Sequence, residues 1–501
     1  MKRRDFLRQI GATAVGTWFL PGARGTAQER TKKPNVIVLL ADDLGYGSVG
    51  CYGANPQLVA TPNIDRLARE GIRFTDANTP SSVCTPTRYG LLTGRYCWRS
   101  RLKKGVSNVR DPLLIETERP TLASLLKGQG YRTAMVGKWH LGYGTAKRTD
   151  FTKELKPGPL ELGFDYQFAV PQNNGDMTGV YVENHRVVGL RTDKLDRNAA
   201  KTFYGPKFMG LDAPQRDENE NMPVLTNKAV TWLKSVPQDT PFLLYFAATA
   251  VHEPITPSRS VANTSKAGPY TDFIRDLDRT VELLLAELER RGELENTLFL
   301  FTSDNGGVLP PPPQSKRKDR NPSIKQAVEA GLKINGDWRG RKHRIWEGGF
   351  RVPFLVRWPA GIKAGVVCGR TVGLVDTYAT LAELVGTRLP DRKSGAEDSI
   401  SFLPLLAKPD APQPRNSIIL HNARGVFAIR QGPWKYIEGK PYGKVRPGEL
   451  KHNPEFRPQL YHLGNDPAEA ENLIAKRPEV VERLGALLNQ HRQAGFSRSA
   501  R

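Results

Sequence analysis

Short unbroken apolar runs alternate along this chain with stretches in which apolar residues recur every three or four positions. The runs at 35–40 (NVIVLL), 241–248 (PFLLYFAA) and 297–302 (TLFLFT) have strand length and no polar face, the pattern of strands covered on both sides, and 131–136 and 352–356 read as further strands. Between them, Ile274, Leu277, Val281, Leu284, Leu285 and Leu288 keep helical spacing, and 62–70, 121–127 and 374–385 read as further helices, the first with Pro62 in its opening turn. Such alternation predicts an α/β fold: a mainly parallel sheet flanked by helices on both faces. In such sheets ligand groups gather beyond the carboxyl ends of the strands. Polar clusters stand at those places: Asp42 and Asp43 after the first run, His252 after the run at 241–248, Asp304 and Asn305 after that at 297–302.

Two segments break the pattern. The stretch 309–335 opens with four prolines and a basic run, and predicts an irregular surface insertion with a short helix near 324–330. From about Arg415 the runs become short, at 426–430 and 434–437, and a last helix is expected over 480–490. This predicts a large catalytic domain over 33–412 and a small C-terminal part over 413–501, built as an antiparallel sheet with one helix. No internal repeat is visible.

Composition adds an address and a charge. Residues 1–27 hold Arg3, Arg4, Phe6 and Leu7 ahead of a mildly apolar run, and small residues near Ala27; they resemble a twin-arginine export signal. No stretch approaches the roughly 18–20 apolar residues that span a bilayer, so a periplasmic or secreted protein without stable membrane insertion is expected. The formal charge is +23; the leader holds five basic residues against Asp5, which leaves +19 on the rest. That surface concentrates anions, but no zinc-finger, helix-turn-helix or base-stacking motif accompanies it, so nucleic acid is not expected. Cys51, Cys84, Cys97 and Cys368 are too sparse for a disulfide framework and form no CxxC pair; whether Cys51 and Cys97 pair stays open.

Cys84 lies in SSVCTPTRYGLLTGR. Cys84-Thr85-Pro86-Thr87-Arg88 followed by Leu92-Thr93-Gly94-Arg95 closely resembles the signature of the sulfatase family, in which the cysteine is oxidised to formylglycine by a maturation enzyme. The aldehyde hydrates to a gem-diol. One hydroxyl attacks sulfur, and the second then expels sulfate as the aldehyde reforms, so no water need attack sulfur. Pro86 suits a first helical turn, which puts residue 84 near a positive helix end, and Arg88 one turn on can face the same site.

Asp42, Asp43, Asp304 and Asn305 form an oxygen-rich set suited to calcium or magnesium rather than zinc. The resemblance implies Ca2+, held by these four and an oxygen of the residue made from Cys84. It also implies an alkaline-phosphatase-like fold, and it assigns roles to Lys138 and His140 (GKWHLG), His252 (AVHEP) and Lys342 (ahead of WEGGFRVPFLVRWP). Lys138 and Lys342 would hold sulfate oxygens. His140 would take the diol proton, and His252 with Lys342 would stabilise or protonate the leaving oxygen.

The resemblance spans about Lys33 to Leu473 and is nearest to bacterial enzymes of the arylsulfatase A and N-acetylgalactosamine-6-sulfatase type. A sulfated carbohydrate or an aryl sulfate is the expected substrate, with the basic charge and export favouring sulfated polysaccharide. The insertion after Gly307 and the polar stretch 172–186 depart from the family pattern and leave substrate identity open. Two alternatives stand beside this reading: a phosphonate monoester or phosphodiester hydrolase on the same fold, and a non-catalytic polysaccharide-binding protein with a degenerate site. Lys138, His252 and Lys342 favour sulfate esters over the first, and the loss of a site residue, which would favour the second, is not seen.

Overall fold

The structure is a computed structural model that describes residues 32–196, 210–312, 319 and 321–499. The export-signal segment 1–27 and residues 313–318 of the proline-rich insertion lie outside the described residues. Among the described residues the main sheet has ten strands. In chain order they are β1 (Asn35–Ala41), β2 (Ile72–Phe74), β3 (Arg132–Lys138), β4 (Tyr166–Val170), β5 (Val182–Glu183), β6 (Arg186–Val187), β7 (Phe242–Ala247), β8 (Thr297–Ser303), β9 (Phe354–Arg357) and β10 (Val366–Cys368). Their spatial order is β10-β2-β9-β8-β1-β7-β3-β4-β5-β6. The central five, β8-β1-β7-β3-β4, are all parallel.

The period of two inside β1 explains why that strand reads as an unbroken apolar run. Val36, Val38 and Leu40 enter one apolar layer, and Ile37, Leu39 and Ala41 enter the layer on the opposite face. The first layer is closed by Tyr89, Leu91 and Leu92 of α2 (Cys84–Thr93) and by Leu122 and Leu126 of α3 (Leu122–Lys127). Thr121 starts α3 with a capping box: its hydroxyl accepts from Ser124 N at 3.1 Å, and Ser124 Oγ accepts from Thr121 N at 2.9 Å. The second layer is closed by Ile64 and Leu67 of α1 (Pro62–Arg69) and by the periodic stripe Leu277, Val281, Leu284, Leu288 of α5 (Pro269–Arg290). Leu225 and Leu233 of α4 (Asn221–Ser235) join them.

One strand runs against expectation. The apolar run near 352–356 forms β9, which pairs antiparallel with β8 and with β2. The chain leaving β8 turns back over the carboxyl edge through α6 (Pro322–Glu329) and a 3-10 turn at Glu347–Gly349, so it re-enters the sheet from that edge.

The C-terminal part is a four-stranded antiparallel sheet of β11 (Ile418–His421), β12 (Phe427–Gln431), β13 (Trp434–Ile437) and β14 (Gln459–His462). The last helix, Pro478–Ala494, lays Val480, Leu484 and Leu488 on Ile419, Ile429 and Leu460. The other face of the sheet packs on Ile345, Trp346 and Phe350. Among the described residues no helix is long and apolar enough to cross a membrane. All four cysteines are free thiols, which settles the pairing left open by spacing.

Candidate active site

Register brings the predicted residues to one level. Leu40 stands opposite Ala247 of β7 and Thr302 of β8, while Ala247 stands opposite Gly137 of β3. The strands therefore release Asp42 and Asp43, Lys138 and His140, and Asp304 and Asn305 side by side on the carboxyl edge. Backbone bonds fasten the exits: Asp304 N donates to Ala41 O at 3.0 Å, and Asp42 N donates to Ala250 O at 2.9 Å. Asp43 (φ 60) and His140 (φ 58) both take the left-handed region. Non-glycine residues rarely enter it, and functional sites are where such strain is held.

Cys84 is the first residue of α2, capped by extended Val83. Its Sγ lies 3.7 Å from Asp42 Oδ1. The free N–H groups and dipole of the helix start favour negative charge at this position.

Around it the buried charges answer one another in pairs. Lys138 Nζ is 2.6 Å from Asp42 Oδ2. Lys342 Nζ is 2.7 Å from Asp43 Oδ2, and Asn305 Nδ2 donates to Asp43 Oδ1 at 2.8 Å. Arg88 donates through Nε and Nη2 to Asp304 Oδ2 at 3.0 and 2.7 Å, and through Nη1 to the Lys138 carbonyl at 2.9 Å. His252 Nε2 stands 3.8 Å from Asp43 Oδ2.

Burial acts differently on each group. It raises the Asp42 carboxyl to about 7, aided by Asp304, against the pull of Lys138. In Asp43 it is overcome by Lys342 and His252, which hold the carboxyl below its usual range. Burial pushes the Cys84 thiol up to about 12 despite Lys138 and Lys342. It drives His140 well below the usual imidazole value, helped by Lys138, and does the same to His252, helped by Lys342. Lys342 is held well above the ordinary lysine value because Asp43 outweighs its burial.

The tautomers follow from the contacts. His140 Nε2 is 3.0 Å from the Ser107 carbonyl, so Nε2 carries the hydrogen and Nδ1, buried and without a partner, keeps the lone pair. Thr85 Oγ1 donates to the His140 carbonyl at 3.1 Å and ties it to the residue after Cys84. His252 Nδ1 lies 2.6 Å from the Glu253 carbonyl, which turns Nε2 toward Asp43.

The donor set fits a hard cation. One ligand atom each from Asp42, Asp43, Cys84 and His252 lie within 4.8 Å of one another. Asn305, hydrogen-bonded to Asp43, has its Oδ1 buried with no partner. A carboxamide oxygen left unsatisfied beside several carboxylates is what an oxygen-liganded Ca2+ or Mg2+ would complete.

All of Asp42, Asp43, Cys84, Arg88, Lys138, His140, His252, Asp304, Asn305 and Lys342 thus stand in one cluster. Sequence reading missed Ser107, which lies in an irregular loop with no signal of its own. It also missed Glu347, although that residue sits in the quoted run WEGGFRVPFLVRWP. The turn Glu347–Gly349 presses on the turn carrying Asn305: Gly306 N donates to Gly349 O at 3.0 Å, and a Cβ at Gly306 would fall 1.9 Å from Gly348 O. Only glycine fits there. Of the two departing segments, 172–186 reaches the site through Gln172, whose Nε2 lies 3.4 Å from His140 Nε2. The insertion reaches it through Asn321, which hydrogen-bonds Glu253 beside His252. A cavity of about 730 Å3, with Asp43 and Lys342 in its wall, opens from the cluster.

Comparison with known proteins places this geometry. The model of the family described as Sulfatase matches residues 34–387, and that described as N-sulphoglucosamine sulphohydrolase, C-terminal, matches 337–494. The chain is 35% identical to an N-acetylgalactosamine-6-O-sulfatase of Bacteroides thetaiotaomicron, over 92% of this chain and 93% of the relative. It is 32% identical to human arylsulfatase A, over 91% of this chain and 87% of that one. A solved Bacteroides thetaiotaomicron structure, described under the metabolism of multiple glycosaminoglycans, superposes with TM-score 0.82 at 33% identity, covering 92% and 99% of the two chains. The phosphonate monoester hydrolase of Agrobacterium radiobacter, at TM-score 0.58 and 17% identity over 92% and 96%, shares the fold.

Proposed function

The chain belongs to the sulfatase family and is a sulfuric ester hydrolase, and from that premise we propose a formylglycine at position 84, a calcium ion beside it, and a sulfated carbohydrate as substrate. The observation that carries this reading is Cys84 at the start of α2, 3.7 Å from Asp42, inside the cluster of Asp43, Lys138, Lys342, His140 and His252.

Residue 84, as the hydrated aldehyde, presents a hydroxyl oxygen that attacks sulfur. The S–O bond to the substrate alcohol breaks, and the alcohol oxygen takes a proton at the side of Lys342 and His252. Lys342 is the standing cation there, since Asp43 keeps it protonated. Sulfate is now esterified to residue 84, its oxygens held by Lys138 and Lys342. His140 Nδ1 takes the proton of the second hydroxyl, the carbonyl reforms, and the C–O bond to sulfate breaks. A neutral imidazole is needed for that step, and burial with Lys138 nearby keeps His140 neutral. Arg88 orients Asp304 through two bonds and adds charge that favours the ionised nucleophile. Asp42, Asp43, Asp304, Asn305 and residue 84 would hold the calcium ion, which would lower the nucleophile's pKa and polarise the ester.

The sulfated-carbohydrate reading is supported by the name of the Bacteroides relative, N-acetylgalactosamine-6-O-sulfatase, and by the charged side chains of both signs in the wall of the cavity at the site. The formylglycine implies a maturation enzyme as partner. Residues 1–27 are read as a twin-arginine signal and the enzyme as periplasmic or secreted, with 33–412 catalytic and 413–501 as its C-terminal part. The test is release of inorganic sulfate from O-sulfated sugars by protein from a host with the maturation enzyme. Chelation should abolish release and calcium should restore it; restoration by zinc alone would refute the metal assignment.

A further inference from the structure

The cavity that opens from the reaction centre has two walls of different origin. One side comes from the segment between β8 and β9, with Arg341 and Arg344; the other comes from the C-terminal part, with Arg424, Glu449 and His452. Its volume of about 730 Å3 falls in the ~300–1,000 Å3 range of small-ligand clefts. Asp43 and Lys342 line the same space, so the sulfate end of a substrate at Lys342 leaves its alcohol portion against the C-terminal wall.

That wall is preorganised. Asn422 Oδ1 accepts from the backbone N–H of Arg424 and of Val426, both at 2.9 Å. Asn422 Nδ2 donates to Glu455 Oε2 at 2.6 Å, and Glu455 Oε1 accepts from Arg344 Nη1 at 2.6 Å. A continuous chain of contacts therefore runs from the loop that bears Lys342 to the turn that bears Arg424. Arg424 itself pairs with Glu449 through Nη2 at 2.5 Å and keeps 43% of its side chain accessible. One guanidinium nitrogen is satisfied and the remaining donors stay available.

The chemistry of the lining selects among alcohols. Among the described residues of the lining, four basic groups (Arg341, Lys342, Arg344, Arg424) meet four acidic ones (Asp43, Glu253, Glu449, Glu455), so that lining is balanced in charge although the whole chain carries +23. Among the described residues no Phe, Tyr or Trp lines the cavity. In that lining an aryl group would find no aromatic ring to stack on, and a polyanion no surplus of positive charge. A ring of hydroxyls would find paired donors and acceptors.

We propose that Arg424 and His452 are specificity-determining residues, which grip hydroxyl groups of an otherwise uncharged sugar residue whose sulfate ester sits at Lys342 and Asp43. This rests on the sulfatase reading above and adds the residues that choose the alcohol. Sites built to hydrogen-bond hydroxyls discriminate strongly when those partners are missing.

The experiment compares kcat/KM on a panel of O-sulfated monosaccharides, N-acetylgalactosamine 6-sulfate among them, with kcat/KM on 4-nitrophenyl sulfate. It uses the formylglycine-bearing wild type, Arg424→Ala and His452→Ala, with thermal unfolding as the check on folding. The ratio of the best sugar sulfate to the aryl sulfate should fall at least about tenfold in each variant. A ratio within about threefold of wild type in both would overturn the proposal. If Arg424→Ala loses its fold with the Glu449 pair, His452→Ala, on an exposed side chain, decides alone. Wild-type turnover of the aryl sulfate without any sugar sulfate would overturn this proposal while leaving the sulfatase reading intact. Turnover of neither would sink both.

Discussion

His140 is fixed from three sides: its left-handed backbone, Thr85 on its carbonyl, and the Ser107 carbonyl on Nε2. What remains is a single lone pair on Nδ1, in surroundings that keep the ring neutral. In the proposed mechanism a group so placed serves release of sulfate rather than attack, so the two half-reactions should separate in a variant. His140→Ala is expected to lower kcat by about 10²–10⁴-fold, the usual worth of a general base. Rapid mixing should still show a first-turnover burst of alcohol, with sulfated enzyme visible by intact mass. Loss of the burst together with kcat would place His140 in the attack step instead. Asp42, Asp43, His252, Asp304 and Asn305 were legible as polar groups at strand exits, whereas Cys84, Arg88, Lys138, His140 and Lys342 were found through the resemblance of their segments to the sulfatase family. Ser107 was not, because it acts through a carbonyl that any residue carries.

Among the elements, β1, β7 and β8 showed themselves as unbroken apolar runs because both faces of each are covered. Strand β4 (YQFAV) escaped because buried Gln167 interrupts its short run; the side chain is accommodated by a hydrogen bond to Asn184. Helix α4 escaped for a different reason. Its stripe Met222, Leu225, Ala229, Trp232, Leu233 is regular, but Pro223 reads as a breaker. That proline sits in the first turn, where the missing N–H leaves no bond unmade. The antiparallel sense of β9 depends on the path of the segment before it, which local pattern does not encode. The two turns at Gly306 and Glu347–Gly349 interlock backbone to backbone beside Asn305, and Lys342 N donates to Gly307 O of the same stretch at 3.1 Å.

Across the whole molecule, the C-terminal sheet and the catalytic sheet meet at a buried carboxylate. Glu347 Oε2 lies 2.8 Å from Arg351 Nη2 and 3.2 Å from Arg430 Nη1, and Oε1 lies 3.0 Å from Lys435 Nζ. Lys435 also meets Glu469 at 2.9 Å, and Arg351 and Arg430 both reach Asp76. Arg430, Lys435 and Glu469 belong to the C-terminal part, so the network joins it to the turn beside the site. Burial alone would raise Glu347, but Arg430, Lys435 and Arg351 outweigh it and hold the carboxyl at about 2. A carboxyl depressed on folding adds stability that is present above the free value of 4.5 and is lost as pH falls toward about 2. Glu347→Gln should therefore destabilise the protein by about 3 kcal/mol at neutral pH. Thermal unfolding of variant and wild type should converge below about pH 4.5. A gap that stays constant down to about pH 3.5 would mean that the network contributes by shape and not by charge.

The account turns on a nucleophile with two hydroxyls, one to attack sulfur and one to expel sulfate. Cys84→Ser, made in a host that oxidises only cysteine, keeps the attacking oxygen and removes the second. Intact-mass analysis of that protein after incubation with a sulfate ester measures the difference directly. The expected result is one sulfate ester accumulating per chain, with a single turnover and no more. Sustained turnover at the wild-type rate by the unmodified Cys84→Ser protein would contradict the mechanism.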